Sequence, residues 1–128
     1  MLRVGTDLTS ATEVRDAIAA HGERYLRRVY TPQERADTRD DPARLAARFA
    51  AKEAVVKVLR PDDDAIPWNH IQVRRHPGGW TDLVLHGRAA ARAGEAGLTD
   101  WAVSLSHDGD LATAVVVATG SPSTRPRP

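Results

Sequence analysis

Two acids stand where a charge is expensive. Asp7 closes the largely apolar run Leu2-Arg3-Val4-Gly5-Thr6-Asp7-Leu8, and Glu53 falls between Phe49 and Val56, beside the packing face of a long helical pattern. Burying either carboxylate without compensation costs several kcal/mol or drives its pKa upward, so each calls for a cation. Two chemistries meet that need. One is an ion pair inside the fold, such as Glu53 with Lys57 at i,i+4. The other is a shared Mg²⁺, which takes one or two carboxylates, keeps several waters and completes its octahedron with phosphate oxygens of a substrate. The only lysines of the chain, Lys52 and Lys57, lie on either side of Glu53 in a sequence that otherwise writes Arg. A carboxylate pair flanked by compact ammonium charges suits a phosphate-ester site.

His107 sits in Ser104-Leu105-Ser106-His107-Asp108 at a strand end, where strand alternation puts Leu105 and His107 on one side and the two serines with Asp108 on the other. A solvated or hydrogen-bonded turn residue is the plain alternative to a ligand-facing one. His21, His70, His76 and His86 lack the spacing of metal ligands. Asp62 to Asp64 read as a solvated loop and Gly78-Gly79 as a turn. Without a glycine-rich loop opening a helix, an ordinary nucleotide-triphosphatase is excluded. Arg24, Arg27 and Arg28 are of a kind that usually coats a solvated face; with Arg15 they also make the best docking patch for an acidic protein.

At 128 residues the chain is one domain's worth, and we place that domain at 1–119 with a polar, proline-bearing, disordered tail at 120–128. Net charge is +1, which disfavours nucleic acid as a partner, although residues 1–60 carry +3 and the remainder −2. There is no cysteine, which removes disulfides, thiolate metal sites and a cysteine nucleophile. The first residues are too short and too soon polar for a signal peptide or membrane span. The expectation is a soluble cytoplasmic protein with no membrane partner.

The elements that must hold these residues follow from local pattern. Leu2 to Leu8 alternates as a strand, and Thr9 or Ser10 caps a helix from Ala11 to about His21, ended by Gly22. Glu23 to Tyr30 is a short mixed segment. Thr31-Pro32-Gln33-Glu34 is a capping box with proline at the first helical position, so a helix starts there. Asp41-Pro42 opens the longest helix, to Leu59, with Leu45, Phe49, Val56 and Leu59 as its buried face and Ala46 and Ala50 permitting close approach of neighbours; Pro61 stops it. Trp68 to His76 and Trp80 to His86 form a hairpin, Gly87 to Gly97 a helix, and Trp101 to His107 with Leu111 to Thr119 a second hairpin turning at Asp108-Gly109. The last strand is apolar on both faces, which asks for cover on both sides.

Together, Gly5-Thr6-Asp7-Leu8, the run Arg24 to Glu34, the block Arg48-Phe49-Ala50-Ala51-Lys52-Glu53-Ala54-Val55-Val56-Lys57 and Val103 to Asp108 resemble the holo-acyl-carrier-protein synthases, the small phosphopantetheinyl transferases, in order and over residues 1 to about 119. The resemblance implies a compact α+β fold, an antiparallel sheet packed on a long central helix, assembled as a homotrimer with coenzyme A between subunits. It implies transfer of 4′-phosphopantetheine from coenzyme A to a serine of an apo acyl carrier protein, with release of adenosine 3′,5′-bisphosphate. By the same resemblance Asp7 and Glu53 are the Mg²⁺ ligands, Lys57 faces the pyrophosphate or the incoming serine, and Arg48, Lys52, Ser106 and His107 line the coenzyme site. Arg15, Arg24, Arg27 and Arg28 dock the acidic helix of the carrier. The chain departs from the family at Ser10, where Glu is usual, at Glu13 before Arg15, and at Gly79-Trp80-Thr81, where Gly-Lys-Pro or Gly-Arg-Pro is usual. These departures leave the metal pair untouched and admit a polyketide-type as well as a fatty-acid carrier. The competing reading is a non-catalytic trimer that binds carrier or coenzyme A; a third is a structural domain whose two acids are salt-bridged.

Overall fold

The computed structural model describes residues 1–62 and 64–120. Caps set the helix starts. Ser10, the last residue of β1 (Leu2–Ser10), accepts the Glu13 N–H at 3.0 Å and opens α1 (Ala11–His21). The mixed segment after Gly22 is helical, α2 (Glu23–Val29). Thr31 and Glu34 make the reciprocal capping box of α3 (Pro32–Thr38), with bonds of 3.2 and 2.9 Å. Asp41 accepts the Arg44 N–H at 3.1 Å to start α4 (Pro42–Leu59), and Arg60 ends it in the left-handed conformation before Pro61. A single 3₁₀ turn (Trp68–His70) leads into β2 (Ile71–Arg75), then β3 (Thr81–Leu85), α5 (Gly87–Glu95), β4 (Asp100–Asp108) and β5 (Leu111–Thr119).

Among the described residues the strands form two sheets, β1-β5-β4 and the separate hairpin β2-β3, all antiparallel. The reason is α4, which has partners on more than one side. Its Val55, Val58 and Leu59 pack with Val116 and Ala118 of β5 and also with Ile71 of β2, while Ala50 and Ala51 meet Ala114 and Val73. The buried stripe is therefore wider than sequence periodicity suggested. Leu45 and Leu59 are buried as expected, Phe49 and Val56 only half-buried, and alanines 46, 47, 50, 51 and 54 complete the contact. Small side chains bring backbones close: a Cβ at Gly5 would overlap the carbonyl oxygen of Ala54.

The second hairpin turns one residue later than the sequence suggested. Asp108 pairs with Leu111, so Gly109-Asp110 is the loop, with Gly109 at φ +58° in the first loop position. Asp110 then accepts the N–H and hydroxyl of Thr12 at 3.1 and 3.0 Å and ties this turn to α1. Strand β5 is two-faced as read. Ala112, Ala114, Val116 and Ala118 are buried, whereas Leu111 and Val115 point to the far side of the sheet, where Leu2, Val4 and Leu8 of β1 are also exposed. Among the described residues no helix is long and apolar enough to cross a membrane. The tail expectation falls on residues 121–128, outside those described.

One buried ion pair locks α3, α4 and β2 together. Lys52 and Glu34 are both fully buried, 2.7 Å apart. Glu34 also accepts the N–H groups of Thr31 and Val73, each at 2.9 Å, and the Lys52 ammonium donates to the carbonyls of Trp68 (3.1 Å) and Ile71. Burial draws the Lys52 pKa down and Glu34 opposes it. All three ammonium protons are thus spoken for inside the fold, which corrects the expectation that Lys52 lines the coenzyme site. Lys52→Met should cost about 3–5 kcal/mol in denaturant unfolding because it strands a buried carboxylate, and the Glu34→Gln/Lys52→Met double variant should recover part of that loss.

Candidate active site

Strand β1 turns Arg3, Gly5, Asp7 and Thr9 toward α4, and α4 answers with Glu53 and Lys57 one turn apart. The close approach at Gly5 and Ala54 brings the two acids together. Asp7, with its side chain 14% exposed, accepts from the Lys57 ammonium at 3.0 Å, and the same ammonium donates to the Thr6 carbonyl at 2.8 Å. The ion pair offered by sequence, Glu53 with Lys57, gives way to Lys57 with Asp7. Glu53 is left partly buried beside a second acid. Its pKa is pushed up to about 7, first by burial, then by the hydrogen bond and negative charge of Asp7; Lys57 pulls it down, and Glu13 adds to the rise.

That is a site short of positive charge. Two hard oxygen donors share one exposed lysine, so the donor set fits a divalent cation of the Mg²⁺ kind. Among the described residues no group of three or more His, Cys, Asp or Glu is placed to hold an ion. Two carboxylates with the remaining positions left to water and phosphate oxygens is a pattern Mg²⁺ accepts and a structural Zn²⁺ site does not.

A second cluster lies at the β4 edge. A cleft of about 750 Å³ is bordered by Arg44, Arg48, Arg75, Trp80, Ser106 and His107. Arg48 is only 7% exposed, and among the described residues its Nε has no hydrogen-bond partner. Burial lowers its pKa, with Glu34 and Asp37 opposing and Arg44 and Arg75 reinforcing. A buried guanidinium with a spare donor among further cations is built for an anion. Of the residues picked from sequence, Asp7, Glu53 and Lys57 converge at the β1 edge and Arg48, Ser106 and His107 border this cleft, while Lys52 joins neither. Arg15, Arg24, Arg27 and Arg28 are exposed on α1 and α2, and Arg28 also borders a cleft of about 670 Å³ with Val56, Ile66 and Trp68. Sequence reading missed Arg44, Arg75, Trp80 and the influence of Glu13. Arg44 was accessible to it, one helical turn before Arg48; Arg75 and Trp80 meet the cleft only through the fold of the β2-β3 hairpin.

A model of the 4′-phosphopantetheinyl transferase superfamily matches residues 3–116. The chain belongs to that superfamily. Within it the resemblance is to holo-acyl-carrier-protein synthases: that of Herpetosiphon aurantiacus is 42% identical, covering 94% of this chain and 100% of the relative, and that of Desulforudis audaxviator is 41% identical, covering 94% of each. Among solved structures, the acyl carrier protein synthase of Mycobacterium tuberculosis matches with a TM-score of 0.74 at 32% identity, covering 92% of this chain and 96% of that one. A Chronobacterium ammoniagenes ACPS-CoA complex matches with a TM-score of 0.83 at 28% identity, covering 95% and 99%. The α+β architecture is the one shared with these synthases, and the chain is an enzyme of the phosphopantetheinyl transferase kind.

The raised pKa of Glu53 has a thermodynamic sign. The folded state holds its proton up to about pH 7 while the unfolded state releases it near 4.5, so this group's contribution to stability falls as pH rises between those values. Glu53→Gln should therefore be more stable than the parent in metal-free buffer above pH 7, by on the order of 1 kcal/mol after allowance for solvent screening. Below pH 4.5 the gain should vanish. Added Mg²⁺ should raise the melting temperature of the parent and leave that of the variant in place.

Proposed function

We propose that the carboxylate cluster of Asp7 and Glu53 is where the 4′-phosphopantetheine arm of coenzyme A passes to the serine of an apo acyl carrier protein, with release of adenosine 3′,5′-bisphosphate. The observation that carries this reading is the convergence of two acids, distant in sequence, on a point they share with one exposed lysine, in a chain of this superfamily. Asp7 and Glu53 would hold Mg²⁺, which when bound neutralises the charge of the coenzyme's diphosphate. Lys57 is 57% exposed and its ammonium can turn from Asp7 to a phosphate oxygen. In the transfer the serine hydroxyl gives its proton to a nearby base or water, its oxygen bonds to the phosphorus nearest pantetheine, and the bond from that phosphorus to the bridging oxygen breaks with its electrons leaving on adenosine 3′,5′-bisphosphate. Little covalent chemistry falls to the protein, so positioning and charge carry the rate.

Arg48, with Ser106 and His107, would receive the phosphate-rich end of the coenzyme in the second cleft. That cleft and the acid pair lie at opposite edges of the three-stranded sheet, since β5 separates β1 from β4. One coenzyme reaches both sets most simply when neighbouring copies of the chain each supply one. The bare apolar outer face of the sheet, with Leu2, Val4, Leu8, Leu111 and Val115, supports such an assembly, a homotrimer in this reading. Arg15, Arg24, Arg27 and Arg28 would steer the acidic carrier, of fatty-acid or polyketide type, and the proposed setting is the cytoplasm, without nucleic acid or membrane.

A mass-shift assay tests this. The purified chain, Mg²⁺, coenzyme A and an apo carrier protein should give a pantetheinyl adduct, and persistent coenzyme binding with no adduct on any of several carriers would leave a non-catalytic binding module. Asp7→Asn and Glu53→Gln should each lower kcat/KM by about a hundredfold or more. Charge reversal at Arg15 should raise KM for the carrier at low salt, with the difference shrinking as salt is added.

A further inference from the structure

Trp80 is 59% exposed at the tip of the β2-β3 hairpin, an unusual place for the largest apolar side chain. It is also held still. Its indole lies parallel to the His76 ring, with centroids 3.7 Å apart and planes within 5°. His76 Nε2 stands 3.1 Å from Asp82 Oδ1, off the line a hydrogen bond needs, and Asp82 is gripped by Arg74 through two bonds of 3.0 and 2.8 Å. The turn between the two rings is closed by His76 N–H to the Trp80 carbonyl and Gly79 N–H to the His76 carbonyl, each 2.9 Å, with Gly78 and Gly79 at φ +98° and +91°. Only glycine adopts such a pair of conformations cheaply. With His76 on one face, the exposed area of the indole includes its other face, and the residue borders the cleft that also holds Arg44, Arg48, Arg75 and His107.

We infer that the Trp80–His76 stack is a specificity determinant of this chain, a preset aromatic wall on which the purine of the coenzyme lies while the neighbouring cations take its phosphates. The inference rests on the functional reading above and adds to it a residue at a position where the family usually writes Lys or Arg. A planar base with phosphates matches an indole beside arginines in both shape and charge. A free phosphate or diphosphate would gain nothing from the indole.

The test compares Trp80→Ala, Trp80→Phe and Trp80→Lys with the parent. Stacking of a base on an aromatic side chain is worth enough that Trp80→Ala should raise KM for coenzyme A about tenfold, with kcat and the carrier KM little changed. Trp80→Phe should restore most of the affinity. Calorimetric titration with adenosine 3′,5′-bisphosphate should show the same loss, whereas inhibition by inorganic pyrophosphate, which has no base, should not move. Equal coenzyme KM in parent and Trp80→Ala would overturn the inference. So would pyrophosphate inhibition weakening in step, or a changed oligomer mass in Trp80→Ala, which would make the indole an interface residue. A parent that transfers no pantetheine would bring down the broader reading, and the bisphosphate titration would still decide the role of Trp80.

Discussion

The backbones of β1 and α4 meet at Gly5 and Ala54, with no room for a side chain between them. Everything at the acid cluster depends on that contact. Two residues beyond Gly5 on the strand is Asp7, and one residue before Ala54 on the helix is Glu53, so the spacing that fixes the packing also fixes the carboxylates. The alanines of α4 allow this approach on the sheet side, and the Glu34–Lys52 pair holds the same helix against β2 from the other side. A helix pinned on two flanks cannot relieve the repulsion between Asp7 and Glu53 by sliding. Burial first, and the neighbouring Asp7 second, hold the Glu53 pKa up at that point.

The two neighbouring lysines show how position decides chemistry. Lys52 and Lys57 are the same residue type on the same helix, yet one is sealed with three acceptors and the other stands at the surface over Asp7. Sequence pattern treats both as flanking charges. What separates them is the capping box of α3: its Glu34, read correctly as a cap, uses Oε2 on Val73 N–H and presents Oε1 to Lys52.

Local physics was the legible part. The caps at Ser10, Thr31 and Asp41, the bounds of α4 and both hairpins follow from residue chemistry within a few positions, and so does the suspicion attached to Asp7 and Glu53. The split of the strands into two sheets was not legible, because it depends on how many partners one helix of small residues can accept. The same holds for the fate of Lys52, and for Arg75 and Trp80, which meet Arg48 only across a cleft. The shift of the turn to Gly109-Asp110 is a matter of register, and the Asp110 contacts with Thr12 that anchor it lie 98 positions away.

The burial of Lys52 has a practical corollary. Lys57 is left as the single lysine amine that an acylating reagent can reach, the α-amine of Met1 aside. Its labelling rate, followed at that residue, reads out one address in the molecule. Any ion or nucleotide that draws Lys57 away from Asp7 will register as a change in how fast that amine is tagged.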